Sequence, residues 1–167
     1  QLVKVDGKTL VFVTMPHHIQ AYEPATGKVI WKCSGLGDLA YCDPVFGDNV
    51  GIAMSGYAGP AIGFKLGGEG DVTETHRLWR STSKNPQRIG TGVIIGDHLF
   101  MANEPGFAQC LEVSTGREIW KARLPGGKVW GSLLHADGKL YVTNQKGTTL
   151  VLAPNTEKFE VLSENHL

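Results

Sequence analysis

Net charge is the first thing this sequence lacks. Sixteen basic and sixteen acidic residues cancel over 167 positions, which withholds the general attraction that draws a basic protein to polyanions or to anionic lipid. A nucleic-acid partner is not expected. Long apolar runs are missing too: no stretch approaches the roughly 20 residues of a membrane span, so no span is expected. Cysteine is scarce. Cys33, Cys42 and Cys110 lie far apart, which suits neither a disulfide framework nor a zinc site of the C-x-x-C kind, although the spacing leaves a Cys33–Cys42 bridge open. No useful length of sequence carries an apolar stripe at the helical period. The first residue is Gln1 rather than methionine and no signal peptide follows it, so any targeting segment is expected to lie outside this sequence.

Glycine, by contrast, is plentiful. Twenty-two glycines and eight prolines recur between short runs rich in Val, Ile, Leu, Phe and Tyr, the punctuation of many brief strands joined by tight turns. The turns keep a beat. AYEPATGKVIW ends at Trp31 and CLEVSTGREIW ends at Trp120, with Thr26-Gly27-Lys28 matching Thr115-Gly116-Arg117. HRLWR supplies Trp79 between them, and KFEVL places Phe159 where a fourth tryptophan is expected; the aromatic steps are 48, 41 and 39 residues. A second marker runs in the same phase: Asp6-Gly7, Gly47-Asp48, Gly96-Asp97 and Asp137-Gly138. Periods of about 40 to 50 residues mark units that cannot bury an apolar face alone and must stack on a neighbour.

Each unit parses into four strands. In the third, GTGVIIG, HLFMAN, FAQCLEV and REIWKARL follow one another; in the fourth, SLLHA, LYVTNQ, TTLVLA and KFEVL do. Asp-Gly between apolar runs is a strong hairpin signal, because a tight turn demands positive φ. The unit is therefore an antiparallel four-stranded meander, and meanders repeated radially make an all-β propeller. The expected blades are residues 1–40, 41–89, 90–130 and 131–167 of a single segment. The second unit carries about seven extra residues at GGEGDVTE and has no Thr-Gly in place, and Gly67-Gly68-Glu69-Gly70 reads as a long inter-strand hairpin.

These repeats resemble those of the pyrroloquinoline-quinone (PQQ)-type eight-bladed propellers, a family of quinone-dependent dehydrogenases and cofactor-free relatives. GEGDVTETHRLWR and KFEVLSEN further resemble uncharacterised secreted bacterial PQQ-like repeat proteins. The resemblance implies that Trp31, Trp79 and Trp120 pack on the neighbouring blade, while turns such as Thr26-Gly27 and Thr115-Gly116 receive hydrogen bonds in a girdle. It also implies a periplasmic or secreted location. Four blades are half of such a ring. The exposed blade faces would then be covered by the remaining blades of a longer chain or by a second copy.

Quinone enzymes of this family bring a tryptophan, oxygen ligands for calcium and often two adjacent cysteines to the axis. No Cys-Cys pair is present. Trp130 is the one tryptophan out of phase with the repeat and is a candidate to face the cofactor; Asp43, Asn103 and Glu104 are candidate calcium ligands, though at non-equivalent offsets. His17 and His18 are adjacent, so on a strand they point to opposite sides, and Ser55 lacks the G-x-S-x-G context of a nucleophile. No catalytic residue, cofactor or metal is expected. The reading is a non-enzymatic propeller segment acting as scaffold or as a recognition surface for protein or ligand. The alternatives are part of a PQQ- and calcium-dependent alcohol or sugar dehydrogenase, and a carbohydrate-binding propeller in which Tyr41, Tyr57 and Trp130 stack on sugars.

Overall fold

The computed structural model describes residues 1–57, 59–82 and 90–166. Sheet one comprises β1 (Leu2–Val5), β2 (Lys8–Met15), β3 (His18–Tyr22) and β4 (Val29–Ser34). Sheet two holds β5 (Val45–Phe46), β6 (Val50–Met54) and β7 (Ala61–Lys65). Next come the short β8 (Gly70–Asp71) and a single helical turn, α1 (Thr73–His76), and β9 (Arg77–Ser81) closes the sheet. Sheet three is β10 (Val93–Ile95), β11 (His98–Asn103), β12 (Phe107–Glu112) and β13 (Glu118–Arg123); sheet four is β14 (Leu134–Ala136), β15 (Lys139–Thr143), β16 (Thr148–Leu152) and β17 (Val161–His166). Each is an antiparallel meander in sequence order. The chain is all-β, and its four meanders are blades of a propeller.

Alternation along the strands explains the stacking, since successive residues point to opposite faces and each face meets a different neighbour. Phe12, Ile19, Ala21 and Trp31 of blade one bury against Ile62 and Phe64 of blade two. Ile52, Met54 and Ala61 of blade two meet Leu99 and Met101 of blade three. From the other side of blade three, Phe100, Ala102 and Cys110 meet Leu140, Val142 and Leu150 of blade four. Three seams thus carry three separate cores. The turns are those the sequence announces: Asp6-Gly7 and Asp137-Gly138 both take positive φ, as the tightest hairpins require.

One connection departs from expectation. Residues 67–76 do not form a plain hairpin between β7 and β9, because β8 crosses the seam and pairs in parallel with β4, Trp31 opposite Gly70 and Lys32 opposite Asp71. Backbone and side chains pin it there: Val72 N–H donates to Lys32 C=O (2.9 Å), Ser34 N–H to Thr73 Oγ1 (2.9 Å), and Lys32 Nζ meets Asp71 Oδ2 (3.0 Å). The extra residues cover the outer edge of blade one, which would otherwise present unpaired N–H and C=O groups.

Candidate functional site: the indole girdle and the crossover face

Strand register assigns the girdle positions. Ala21 pairs with Trp31, Gly63 with Trp79 and Cys110 with Trp120, each immediately before a bulge in the ladder. Small partners leave room for the indole, and at Gly63 an added Cβ would lie 2.3 Å from Trp79 Nε1. In blade four the pair at the same bulge is Val151 with Ser163. Ser163 is therefore the equivalent of the tryptophans, and the expectation for Phe159 is corrected. Phe159 precedes β17 and faces the incoming Trp120, ring centroids 5.9 Å apart; aromatic type alone misplaced it, because the turn closed by Ala153 N–H and Glu160 C=O is two residues longer than the one closed by Glu112 N–H and Arg117 C=O.

The three tryptophans do not behave alike. Trp79 lies over the Thr115-Gly116 turn of the next blade, where a Cβ on Gly116 would come within 2.8 Å of the ring, and its Nε1–H donates to Val113 C=O at 2.7 Å. Trp120 reaches blade four in the same direction and donates to Asn155 C=O at 3.0 Å. Trp31 is fully buried between Phe12 and Phe64, yet its Nε1–H has no acceptor. The reason is local: blade two replaces the Thr-Gly turn with the β8 crossing. A buried donor without a partner costs on the order of 1–3 kcal/mol.

The turn beneath Trp79 is held by its own side chains. Thr115 Oγ1–H donates to Glu112 Oε2 (2.5 Å) and accepts from Arg117 N–H (3.2 Å), and hydrogen bonding from Thr115 lowers the Glu112 pKa, helped by Arg117. Thr26-Gly27 in blade one is built the same way, with Thr26 donating to Glu23 Oε2 at 2.6 Å and accepting from Lys28 N–H at 3.2 Å.

The opposite face carries the crossovers between blades and the β2–β3 type loops. Tyr41 and Tyr57 are both about half exposed and meet edge to face at 5.6 Å, beside the exposed Leu39, whose C=O accepts from Gly56 N–H. Tyr57 holds φ 53°, a conformation that bulky residues rarely adopt. Trp130 is 51 % exposed in the crossover before β14. Asp43 is exposed in the crossover before β5, and Glu104 half-buried in the β11–β12 loop.

Asn103 is fully buried, and both ends of its amide are engaged: Nδ2–H donates to Gln109 Oε1 (2.8 Å) and Oδ1 accepts from Phe107 N–H (3.1 Å). Gln109 passes the chain of bonds to Glu118 Oε2 at 2.6 Å. Asn144 repeats the turn role, accepting from Lys146 and Thr148 N–H. These two N-x-x-G loops, Asn103 to Gly106 and Asn144 to Gly147, escaped the sequence reading although the spacing was visible. Among the described residues, no group of three or more His, Cys, Asp or Glu side chains is arranged to hold a metal. Of the residues proposed for calcium, Asn103 commits its amide to bonds within its own sheet, while Asp43 lies in the crossover before β5 and Glu104 in the β11–β12 loop. Ser55 is buried and accepts from Gly37 N–H at 2.8 Å. His17 lies 3.6 Å from Asp38. All three cysteines are buried free thiols, which leaves the Cys33–Cys42 bridge unmade.

A family profile described as outer membrane protein assembly factor BamB matches residues 70–158. The chain belongs to this PQQ-like repeat family. Among solved structures it is similar to BamB from Moraxella catarrhalis, with a TM-score of 0.73 and 14 % identity over 100 % of this chain and 48 % of that one. It is also similar to quinohemoprotein alcohol dehydrogenase from Comamonas testosteroni, with 0.70 and 14 % over 99 % and 34 %. A europium-containing methanol dehydrogenase gives 0.56 and 16 % over 77 % and 25 %. At these identities the likeness establishes the fold. The chain spans about half or less of each of these structures. No curated protein matches it by sequence, and among the described residues no helix is long and apolar enough to cross a membrane.

Proposed function

We propose that this PQQ-like segment is a non-enzymatic scaffold whose crossover face serves as a recognition surface. The observation that carries the reading is Asn103: the amide proposed for a cation is buried and hydrogen-bonded at both ends inside its sheet. A cation at Oδ1 would compete with the Phe107 N–H that this oxygen accepts from, and a buried donor left without a partner costs on the order of 1–3 kcal/mol. The family description as an outer membrane assembly factor supports a scaffold over a dehydrogenase, and supports a periplasmic location. Further blades or a second copy complete the ring.

Adding PQQ with calcium to the chain tests this. The expected result is no stoichiometric quinone absorbance and no dye-linked oxidation of alcohols or sugars; appearance of both would establish the dehydrogenase reading instead. A second reading, glycan binding, is favoured by the Tyr41–Tyr57 edge-to-face pair, since two half-exposed rings held against each other present a fixed apolar surface. Intrinsic fluorescence that stays unchanged across an oligosaccharide panel, in both the parent and Tyr57→Ala, would remove it.

A further inference from the structure

The seam between blades one and two lacks a part that fills the seam between blades two and three. Leu66 of blade two is the counterpart of Val113, because its N–H donates to Asn49 C=O (3.0 Å) as that of Val113 donates to Asp97 C=O (2.9 Å). After Val113 the chain turns through Ser114, Thr115 and Gly116 beneath the Trp79 ring. After Leu66 it runs through Gly67 and Gly68, which have no side chains, and leaves for β8. The space is not refilled: a cavity of about 250 Å³ opens between these glycines and the β1–β2 hairpin. Trp31, which follows Ile30 of the cavity wall, is the indole left without an acceptor at the same seam.

The cavity is apolar inside and acidic at its mouth. Val5 and Leu10 are 8 % and 6 % exposed and belong, with the half-buried Ile30, to the core of the seam. Around them stand the exposed carboxylates of Asp6, Glu23 and Glu69, brought by the β1–β2 turn, the end of β3 and the link to β8, against the ammonium of Lys8. Asp6 lies against bare backbone, since a Cβ on Gly67 would be 3.3 Å from its Oδ2. Among the described residues neither Asp6 nor Glu69 is in an ion pair, and no three acidic or other ligating side chains are placed to hold a metal. Excess negative charge above a hydrocarbon floor suits an organic cation.

We propose that this cavity is a docking site for an arginine side chain of a partner polypeptide. The aliphatic stem lies on Val5, Leu10 and Ile30, as long basic side chains do on apolar surface. The guanidinium reaches the mouth, where its planar fork of donors meets carboxylates arriving from separate chain segments. A lysine ammonium is a compact, strongly hydrated charge and gains less from acceptors spread in this way. The site lies on the face of the β1–β2 and β3–β4 turns, away from the crossover face, and so does not depend on the scaffold reading.

The test is a titration of the full chain, followed by the amide resonances of Gly67 and Gly68, with peptides capped at both ends: Gly-Arg-Gly, Gly-citrulline-Gly and Gly-Glu-Gly. Citrulline keeps the stem and loses the charge. Gly-Arg-Gly should shift both glycines saturably, and the citrulline peptide should bind at least roughly fivefold more weakly. Asp6→Asn combined with Glu69→Gln should weaken the arginine peptide by a similar factor. That variant should unfold at the parent midpoint, because both positions are exposed and asparagine accepts the left-handed backbone of Asp6 (φ 48°). Lys8→Gln should bind the arginine peptide no more weakly than the parent does. Equal binding of the citrulline peptide, an arginine affinity unmoved in the folded double variant, or no shift up to roughly 50 mM peptide overturns the proposal. So do Gly-Glu-Gly shifts that Lys8→Gln removes, which would make the site one for anions. Tighter binding of n-butylguanidinium than of the capped arginine peptide also overturns it, by assigning the cavity to a free cation.

Discussion

Trp31 and Trp79 hold the same register position in consecutive blades, yet only Trp79 has an acceptor for its indole N–H. Phenylalanine substitution removes similar ring volume from both and a hydrogen bond from one. Trp79→Phe strands the Val113 carbonyl, whereas Trp31→Phe deletes a donor that is already unsatisfied. We therefore expect Trp79→Phe to be the more destabilising by about 1–3 kcal/mol, measured by urea unfolding; equal losses would mean that the Trp79 bond contributes nothing. The thiols give a second test at this scale. Burial pushes Cys33, Cys42 and Cys110 from the ordinary 9.0 up to about 11. A folded state that holds its proton more tightly is favoured fully below 9.0, and that contribution is lost as pH rises through about 11. Unfolding free energy should fall across that interval, and iodoacetamide at neutral pH should label the native protein only through its unfolded fraction. Rapid labelling of the folded chain would contradict the burial.

Among the elements, the Thr-Gly turns are the most informative, because the chain contains one covered and one bare example. Gly27 and Gly116 share a φ near 70°, so alanine at either costs about 1 kcal/mol in left-handed strain. Gly116→Ala must also move the Trp79 ring, which adds about 1–3 kcal/mol of overpacking; thermal unfolding of the two variants should separate them by that amount. The β8 crossing makes a pH prediction of its own. Hydrogen bonding to Thr73, then Lys32, lowers the Asp71 pKa to about 2 from 3.8. Its contribution is present above 3.8 and is lost as pH falls through about 2. The difference in midpoint between the parent and Asp71→Asn should shrink over that acid range, and a gap that stays constant would mean that the carboxylate does not hold the staple.

For the whole molecule, the propeller was legible because two markers, Asp-Gly turns and Trp31, Trp79 and Trp120, recur in one phase, and because a meander with alternating apolar faces has few ways to stack. What stayed hidden depended on register. Ser163 carries no aromatic signal, and only its place opposite Val151 at the bulge reveals its kinship with the tryptophans. The parallel β8–β4 pair joins two residues of one blade to the edge of another, a contact that local pattern cannot announce. The Asn103 and Asn144 turns were readable in principle, since Asn three residues before Gly recurs at both loops. At the candidate calcium ligands, composition gave the residue types but not their commitments, and the Asn103–Gln109–Glu118 ladder appears only once the strands are paired.

The central claim is that an indole carried by one blade and the glycine turn of the next act as one unit. A double-mutant cycle of Trp79→Leu and Gly116→Ala, followed by urea unfolding, addresses it directly. If the ring rests on that turn, Gly116→Ala should cost at least about 1 kcal/mol less in the Trp79→Leu background than in the parent. Additive losses, within about 0.5 kcal/mol, would show that the two sites do not touch and would contradict the account.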